Sequence, residues 1–187
     1  MVLTTSELYE KLELQNQELI LIRNLEEYYK NNIFNLVNLI SIINGDDKIS
    51  KRTIEYFVTQ YSIKKNISYT LKENDNDIVF NVYNSYKNQL KAYKKKYFDP
   101  FGRGDRIPFI LNDYCIITTI GQLNFYKWFF SKKIYDYCDT NYNTIQKSLL
   151  SIKKTPKKTK PIINKKVKYD YCSNIANNGH IIVSFSL

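Results

Sequence analysis

The chain has 187 residues, of which 43% are hydrophobic and 15% aromatic, and its formal net charge is +10 at pH 7. This length suits a single domain with a hydrophobic core, and no apolar run reaches the roughly 18 residues that a membrane span requires. The acidic N-terminal sequence is unlike a signal peptide, and three widely spaced cysteines argue against a disulfide framework. We therefore expect a protein that is not secreted and does not enter a membrane.

The first 48 residues predict an acidic helical pair. Thr5 or Ser6 can cap a helix that continues to about Tyr29, and Ile33–Asn44 forms a second helix that Gly45 ends. This segment holds four basic and eight acidic residues, so we do not expect it to contact phosphates. Strict heptads are not sustained, which favours packing within the fold, with a homodimer contact as the alternative.

The next segment predicts a helix followed by a β-hairpin. Ser50 can cap a helix over residues 51–63, and its inward positions are Ile54, Phe57, Val58 and Tyr61. Two strand-like runs, at 66–71 and 78–82, flank the turn-rich sequence KENDND.

A lysine-rich amphipathic helix is predicted over residues 83–97. One stripe at steps of three and four carries Tyr83, Tyr86, Leu90, Tyr93 and Tyr97. An adjoining stripe carries Lys87, Lys91, Lys94 and Lys95. Two interpretations remain open: the tyrosines face a core while the lysines are simply solvated, or the lysines contact phosphates.

The sequence FDPFGRGDRIPF, residues 98–109, predicts an ordered turn after this helix. Phe98 and Phe101 can anchor it, Asp99 can cap backbone groups, and Gly102 and Gly104 permit positive φ. The arginines of this turn, Arg103 and Arg106, either contact phosphates or bases or pair with one of the carboxylates Asp99, Asp105 and Asp113.

A second hairpin and the most buried helix are predicted next. Strands at Ile107–Leu111 and 115–120 flank the turn-prone pair Asn112-Asp113. Thr118 or Thr119 can then cap a helix over residues 121–130 with help from Gln122. That helix is apolar nearly all round, which predicts that it lies in the core.

The C-terminal part predicts a helix at 142–152, a flexible basic linker at 153–170 and a final strand at 171–187. The linker contains Lys153, Lys154, Lys157 and Lys158, and its composition cannot form a core. The strand pairs either with the protein's own sheet or with a partner. Together the elements predict one α+β domain over residues 1–152, with a helical N-terminal part and a small antiparallel sheet of hairpins packed against central aromatic-rich helices.

Catalytic and metal-binding motifs are sparse. The chain has no P-loop, G-x-G-x-x-G, H-E-x-x-H or G-x-S-x-G sequence. The three cysteines, Cys115, Cys138 and Cys172, and the one histidine, His180, include no C-x-x-C pair that would favour zinc. The carboxylates of Asp99, Asp105 and Asp113 are typical of turns, with a metal-dependent nuclease as the less favoured alternative. We expect no enzyme, no metal and no cofactor.

Three blocks of sequence carry a family resemblance over residues 40–140. They read ISKRTIEYFVTQYSIKK, NVYNSYKNQLKAYKKKYFDPFGRGDRI and TTIGQLNFYKWFF. In order and spacing they resemble a functionally uncharacterised family of small proteins from giant nucleocytoplasmic DNA viruses, mimivirus-like viruses among them. In that family's pattern a cysteine occupies the position of Gly102 and a basic residue that of Gly104, so a role for that cysteine does not carry over here.

Two functions are consistent with these observations. The first is non-enzymatic binding of DNA or RNA through Lys87, Lys91, Lys94, Lys95, Arg103 and Arg106, extended by Lys153, Lys154, Lys157 and Lys158. The second is a structural or assembly protein, in the virion for example, whose N-terminal helices and last strand contact other proteins. The viral resemblance implies a location in the virus factory of the host cytoplasm or in the virion. An AT-rich genome would also enrich lysine, so the positive charge alone does not decide between them.

Overall fold

The computed structural model describes residues 9, 11, 12, 14–73 and 76–153. The predicted α+β class is confirmed. The helices are α1 Asn16–Asn31, α2 Ile33–Asn44, α3 Lys51–Tyr56, α4 Ser62–Lys64, α5 Val82–Tyr93, α6 Ile120–Ser131, α7 Ile134–Thr140 and α8 Tyr142–Lys153. The strands are β1 Ser68–Glu73, β2 Asn76–Asn81, β3 Ile107–Leu111 and β4 Tyr114–Thr118. Across these residues, no helix is long and apolar enough to span a bilayer.

The N-terminal helices differ from the prediction at one point. The expected helix from Thr5 or Ser6 to Tyr29 is wrong at residues 14–15, because Gln15 is extended with ψ 153° and α1 begins after it. A reciprocal capping box, in which the Glu18 carboxylate accepts the Gln15 backbone N–H at 3.0 Å, begins the new helix. The second helix, Ile33–Asn44, is confirmed, and Gly45 ends it with φ 83°.

The third predicted helix, over residues 51–63, is confirmed, but its middle is π-helical rather than α-helical. The Ser50 hydroxyl accepts the Thr53 backbone N–H at 3.1 Å and caps α3. A π-helical turn, Phe57–Tyr61, joins α3 to α4, and the four inward residues expected here are all buried.

Helix α6 lies at the centre of the core, as its composition predicts. Phe125, Tyr126 and Phe129 are fully buried, and the Trp128 indole N–H donates to the Ser85 hydroxyl at 3.0 Å. Helix α1 packs across it, and the Tyr29 hydroxyl donates to the Leu123 carbonyl at 2.9 Å. Helix α7 was not predicted; it starts after Lys133, whose φ of 54° turns the chain at the end of α6.

Both predicted hairpins form, each as its own two-stranded antiparallel sheet. In the first, Leu71 pairs with Ile78, and in the second Phe109 pairs with Ile116. Strand β4 begins one residue earlier than predicted and ends at Thr118. Thr119 is therefore left to cap α6, and its hydroxyl accepts the Gln122 backbone N–H at 3.0 Å. The linker after residue 153 and the last strand lie outside the described residues, so their predictions stay open.

Candidate nucleic-acid interface

The lysine-rich helix is shorter than predicted. Helix α5 ends at Tyr93, and Lys94 adopts φ 56° and ψ 174°, so Lys94 and Lys95 lie on the loop that follows rather than on the helix. The prediction that the helix reaches Tyr97 is therefore wrong.

Hydrogen bonds from α6 explain why the helix ends early. Asn124 donates its side-chain N–H to the Tyr97 carbonyl at 2.9 Å, and the Asp99 backbone N–H donates to the Gly121 carbonyl at 3.1 Å. The Tyr97 carbonyl and the Asp99 N–H therefore have hydrogen-bond partners on α6 although they are not part of a helix. Backbone groups that are buried without a partner are costly, so these bonds stabilise the loop.

The lysine side chains expected at the interface are exposed. Lys87 and Lys91 lie on α5, and Lys94 and Lys95 follow directly. None of the four takes part in an ion pair with another residue of the described ranges. Their charges are thus available to an anionic partner.

The tyrosine stripe packs on the core, as the simpler of the two interpretations expects. The Tyr86 ring lies 6.1 Å from the Trp128 ring, and the Tyr93 ring lies parallel to Phe98 at 6.5 Å. Both tyrosines are only partly buried. Helix α5 therefore has one face fixed on the core and another that presents lysines to solvent.

Arg103 pairs with Asp99, one of the two roles expected for it. The guanidinium Nη2 lies 2.7 Å from Asp99 Oδ1, and Nε and the backbone N–H both donate to Oδ2, at 3.2 and 3.0 Å. Burial alone would raise the pKa of the Asp99 carboxyl, but these Arg103 contacts hold it below its ordinary value. Of the two glycines that permit positive φ in this turn, Gly102 adopts it, with φ 61°, and Gly104 does not.

Arg106 lies in a different environment from Arg103. Its side chain is exposed, and its charge, together with the larger effect of burial, lowers the pKa of the Lys51 ammonium. Lys51 Nζ donates to the Ile43 carbonyl at 2.9 Å. Arg106 thus belongs to a basic area at the start of α3. Arg103 instead lies close to α5, where burial raises the pKa of the Tyr86 hydroxyl and the charge of Arg103 partly opposes that rise.

The structure contains a buried polar cluster around Glu18 that the sequence did not predict. Glu18 on α1 is 7% exposed, and its Oε1 accepts the Lys96 ammonium at 2.9 Å and the Tyr97 hydroxyl at 2.9 Å. Burial would raise the pKa of the Glu18 carboxyl, but hydrogen bonds from Lys96, Gln15 and Tyr97 lower it. These partners are 78 and 79 residues from Glu18 in sequence, so no local pattern could indicate the cluster.

The acidic residues considered for a nuclease do not form a metal site in the part of the chain that the structure describes. Asp99 is engaged by Arg103, and no group of three His, Cys, Asp or Glu residues there could hold a metal ion. Cys138 is buried, which raises the pKa of its thiol. Cys172, His180, Lys154, Lys157 and Lys158 lie outside the described residues, as does the Lys153 side chain.

Comparison with known proteins supports the viral resemblance. DUF7197, a family of unknown function, matches residues 4–185. The chain belongs to this family. It is also 36% identical over 141 residues to the uncharacterized protein L507 of Acanthamoeba polyphaga mimivirus, and the alignment covers 72% of this chain. The same alignment covers 53% of the mimivirus protein, so this DUF7197 chain spans about half the length of that relative. No solved structure matches the chain.

Proposed function

We propose that this protein is a non-enzymatic nucleic-acid-binding protein of a large DNA virus, acting in the virus factory or the virion. The observation that carries the proposal is the group of four exposed lysines without an ion pair in the described ranges, Lys87, Lys91, Lys94 and Lys95. Phosphate groups are the partner that such a group attracts most strongly.

The distribution of charge along the chain supports this proposal. Residues 49–96 hold ten basic and four acidic residues, whereas residues 1–48 hold four basic and eight acidic. Residues 141–187 hold nine basic residues and one acidic residue. Lys153, Lys154, Lys157 and Lys158 would therefore add phosphate contacts to those of the α5 face, through sequence-independent electrostatic attraction.

The test is the salt dependence of binding to duplex DNA. Each phosphate contact contributes about 0.9 to the slope of log K against log salt, so Lys87→Gln, Lys91→Gln and Lys94→Gln together should flatten the slope by about 2–3. Glutamine and lysine have similar helix propensities, which keeps α5 intact at positions 87 and 91. Position 94 lies on the loop after α5, where helix propensity does not matter. A control with the same loss of charge replaces Lys30, Lys64 and Lys65, which are exposed on or beside other helices.

Three outcomes would count against the proposal. If the α5 variant keeps the wild-type slope while deletion of residues 154–187 abolishes binding, the interface is confined to the basic tail. If the control triple variant flattens the slope equally, binding follows net charge rather than this face. If the wild type binds neither DNA nor RNA at low salt, the protein does not bind nucleic acid.

An assembly role is the second candidate, and exposed apolar side chains on α2 favour it. Phe34 is 72% exposed, and Ile33 and Val37 next to it are 38% and 39% exposed. Contacts through such a face would change little with salt, unlike phosphate binding. Sedimentation of the wild type and of Phe34→Ser tests this role: a salt-insensitive oligomer that the substitution dissociates would support it.

A further inference from the structure

A groove of about 370 Å³ lies between α1 and the end of α5, beside the exposed lysines of α5 and of the loop that follows it. Its apolar lining comes from both sides: Ile20 and Leu21 on α1, and Ala92, Tyr93 and Tyr97 on or after α5. Ile20 is 60% exposed, although the other side of α1 is packed in the core. The groove therefore offers an apolar, partly aromatic surface that no other described element covers.

The polar groups of the groove suit a planar heterocycle next to a phosphate. Gln17 and Asn24 contribute side-chain amides, which can donate and accept hydrogen bonds, and Lys94 contributes a cation. Lys91, three residues before this lysine, and Lys95, directly after it, are both exposed. Glu18 on the same helix is already neutralised by Lys96, so it does not oppose the positive charge of the groove.

The backbone at Lys94 is a second observation at the same place. Its φ of 56° with ψ 174° is a region that strongly favours glycine, yet a lysine occupies it. Such strained residues cluster at sites that hold ligands, where the function of the side chain outweighs the cost in stability. Here the residue under strain is the lysine that lines the groove.

We propose that this groove receives an unpaired base of a single-stranded nucleic acid, while Lys91, Lys94 and Lys95 contact the adjoining phosphates. The proposal rests on the nucleic-acid-binding function above and adds the substrate class. Single-strand-binding proteins combine cationic grooves with aromatic rings on which bases stack, and the bases of a duplex are not available for such contact. A volume of about 370 Å³ is at the lower end of the range for small-ligand pockets.

The first experiment compares two fluorescein-labelled strands of about twelve nucleotides, one oligothymidylate and one fully abasic, on the full-length chain. Both strands carry the same phosphates, so their difference in affinity isolates the bases. We expect the wild type to bind oligothymidylate about 5- to 150-fold more tightly, the range for one stacked base. An oligouridylate arm determines whether RNA is bound as well as DNA.

Variants then assign this difference to the groove. Tyr93→Leu keeps an apolar contact with Phe98 but removes the aromatic face, so the preference for bases should be lost, and Tyr93→Phe should retain it. Ala92→Trp places a large ring on an exposed groove residue and should also abolish the preference. Its control is Asn84→Trp, an exposed residue two turns earlier on α5 that does not line the groove.

The outcomes separate this inference from the function on which it rests. Equal affinity for the two strands, or a base preference that survives both Tyr93→Leu and Ala92→Trp, overturns the base-binding groove while leaving phosphate binding intact. Loss of the preference in the Asn84→Trp control also overturns it. If duplex DNA binds at low salt but neither strand does, only the base-binding groove is overturned, and if duplex DNA and both strands all fail to bind, the proposed function itself fails. Thermal melting of each variant checks that it is folded, and Ala92→Trp decides the matter if Tyr93→Leu does not fold.

Discussion

Gly121 lies in the first turn of α6, at the point where the loop from α5 crosses it. A Cβ atom at Gly121 would lie 2.6 Å from the Lys96 carbonyl oxygen and 3.2 Å from the Phe98 backbone nitrogen. The loop is fastened to the same turn, because the Asp99 N–H donates to the Gly121 carbonyl at 3.1 Å. The atoms that a methyl group would meet belong to the backbone, so no side-chain rotation can relieve the overlap.

We therefore expect Gly121→Ala to destabilise the protein, against the usual helix preference. Alanine in place of glycine in a helix ordinarily gains up to about 1 kcal/mol. Inserting a methyl group into a closely packed site costs about 1–3 kcal/mol, so the net loss should be roughly 1–2 kcal/mol. For a chain of this length that corresponds to a fall in Tm of about 2–8 °C.

Thermal melting followed by circular dichroism measures this loss, and Gly104→Ala is the matched control. A Cβ atom at Gly104 would lie 3.7 Å from the same Lys96 oxygen, an ordinary contact, and Gly104 has no positive φ. Its free energy of unfolding should change by less than about 0.5 kcal/mol. A Gly121→Ala protein as stable as the wild type would show that the loop and α6 do not approach this closely.

Three further predictions concern the core, the buried ion pair and the strained lysine. Trp128→Ala should lower the free energy of unfolding by about 3–5 kcal/mol, since the indole packs in the core, and an unchanged denaturation midpoint would contradict its burial. The pKa of Asp99 is lower in the folded protein than in the unfolded chain, where it is about 4, so the ionised carboxylate stabilises the fold above this unfolded pKa. This stabilisation is lost as the pH falls through the folded pKa, and Asp99→Asn should therefore reduce the fall in the free energy of unfolding at acid pH. The same acid dependence in the variant as in the wild type would refute this. Lys94→Gly should raise the free energy of unfolding by about 1 kcal/mol through relief of backbone strain while weakening oligothymidylate binding, and lower stability would show that the strain is absent.

Features that depend on a few neighbouring residues were predictable from the sequence. Asn44 and Gly45 locate the end of α2, because glycine readily adopts the left-handed conformation that ends a helix. The pair Asn112-Asp113 locates the turn of the second hairpin, and Asn112 has φ 52°. Helix α6 had to be the buried one, because no face of it is polar enough to meet water.

The exposure of the four lysines was equally predictable, because a charged side chain next to a tyrosine stripe must face solvent. Their arrangement was not, since the periodicity continues to Tyr97 and gives no sign that α5 ends at Tyr93. The two possible roles of Arg103 were also known in advance. Which of them applies depends on whether Asp99 is buried beneath it, and that is a property of the packed loop.

The sequence by itself determined the class of fold, the central helix and the presence of a basic face on a chain whose N-terminal segment is acidic. Only the tertiary structure decided the candidate site, because long-range contacts override local helix preference between residues 94 and 99. Asn124 and Gly121 on α6 and Glu18 on α1 bind the loop, so these backbone and side-chain groups find partners that a longer helix would not offer. The groove beside Lys94 lies where this loop meets α1, since Lys94 and Tyr97 line it from one side and Ile20 and Leu21 from the other, a juxtaposition of residues more than 70 positions apart that only the packed chain provides.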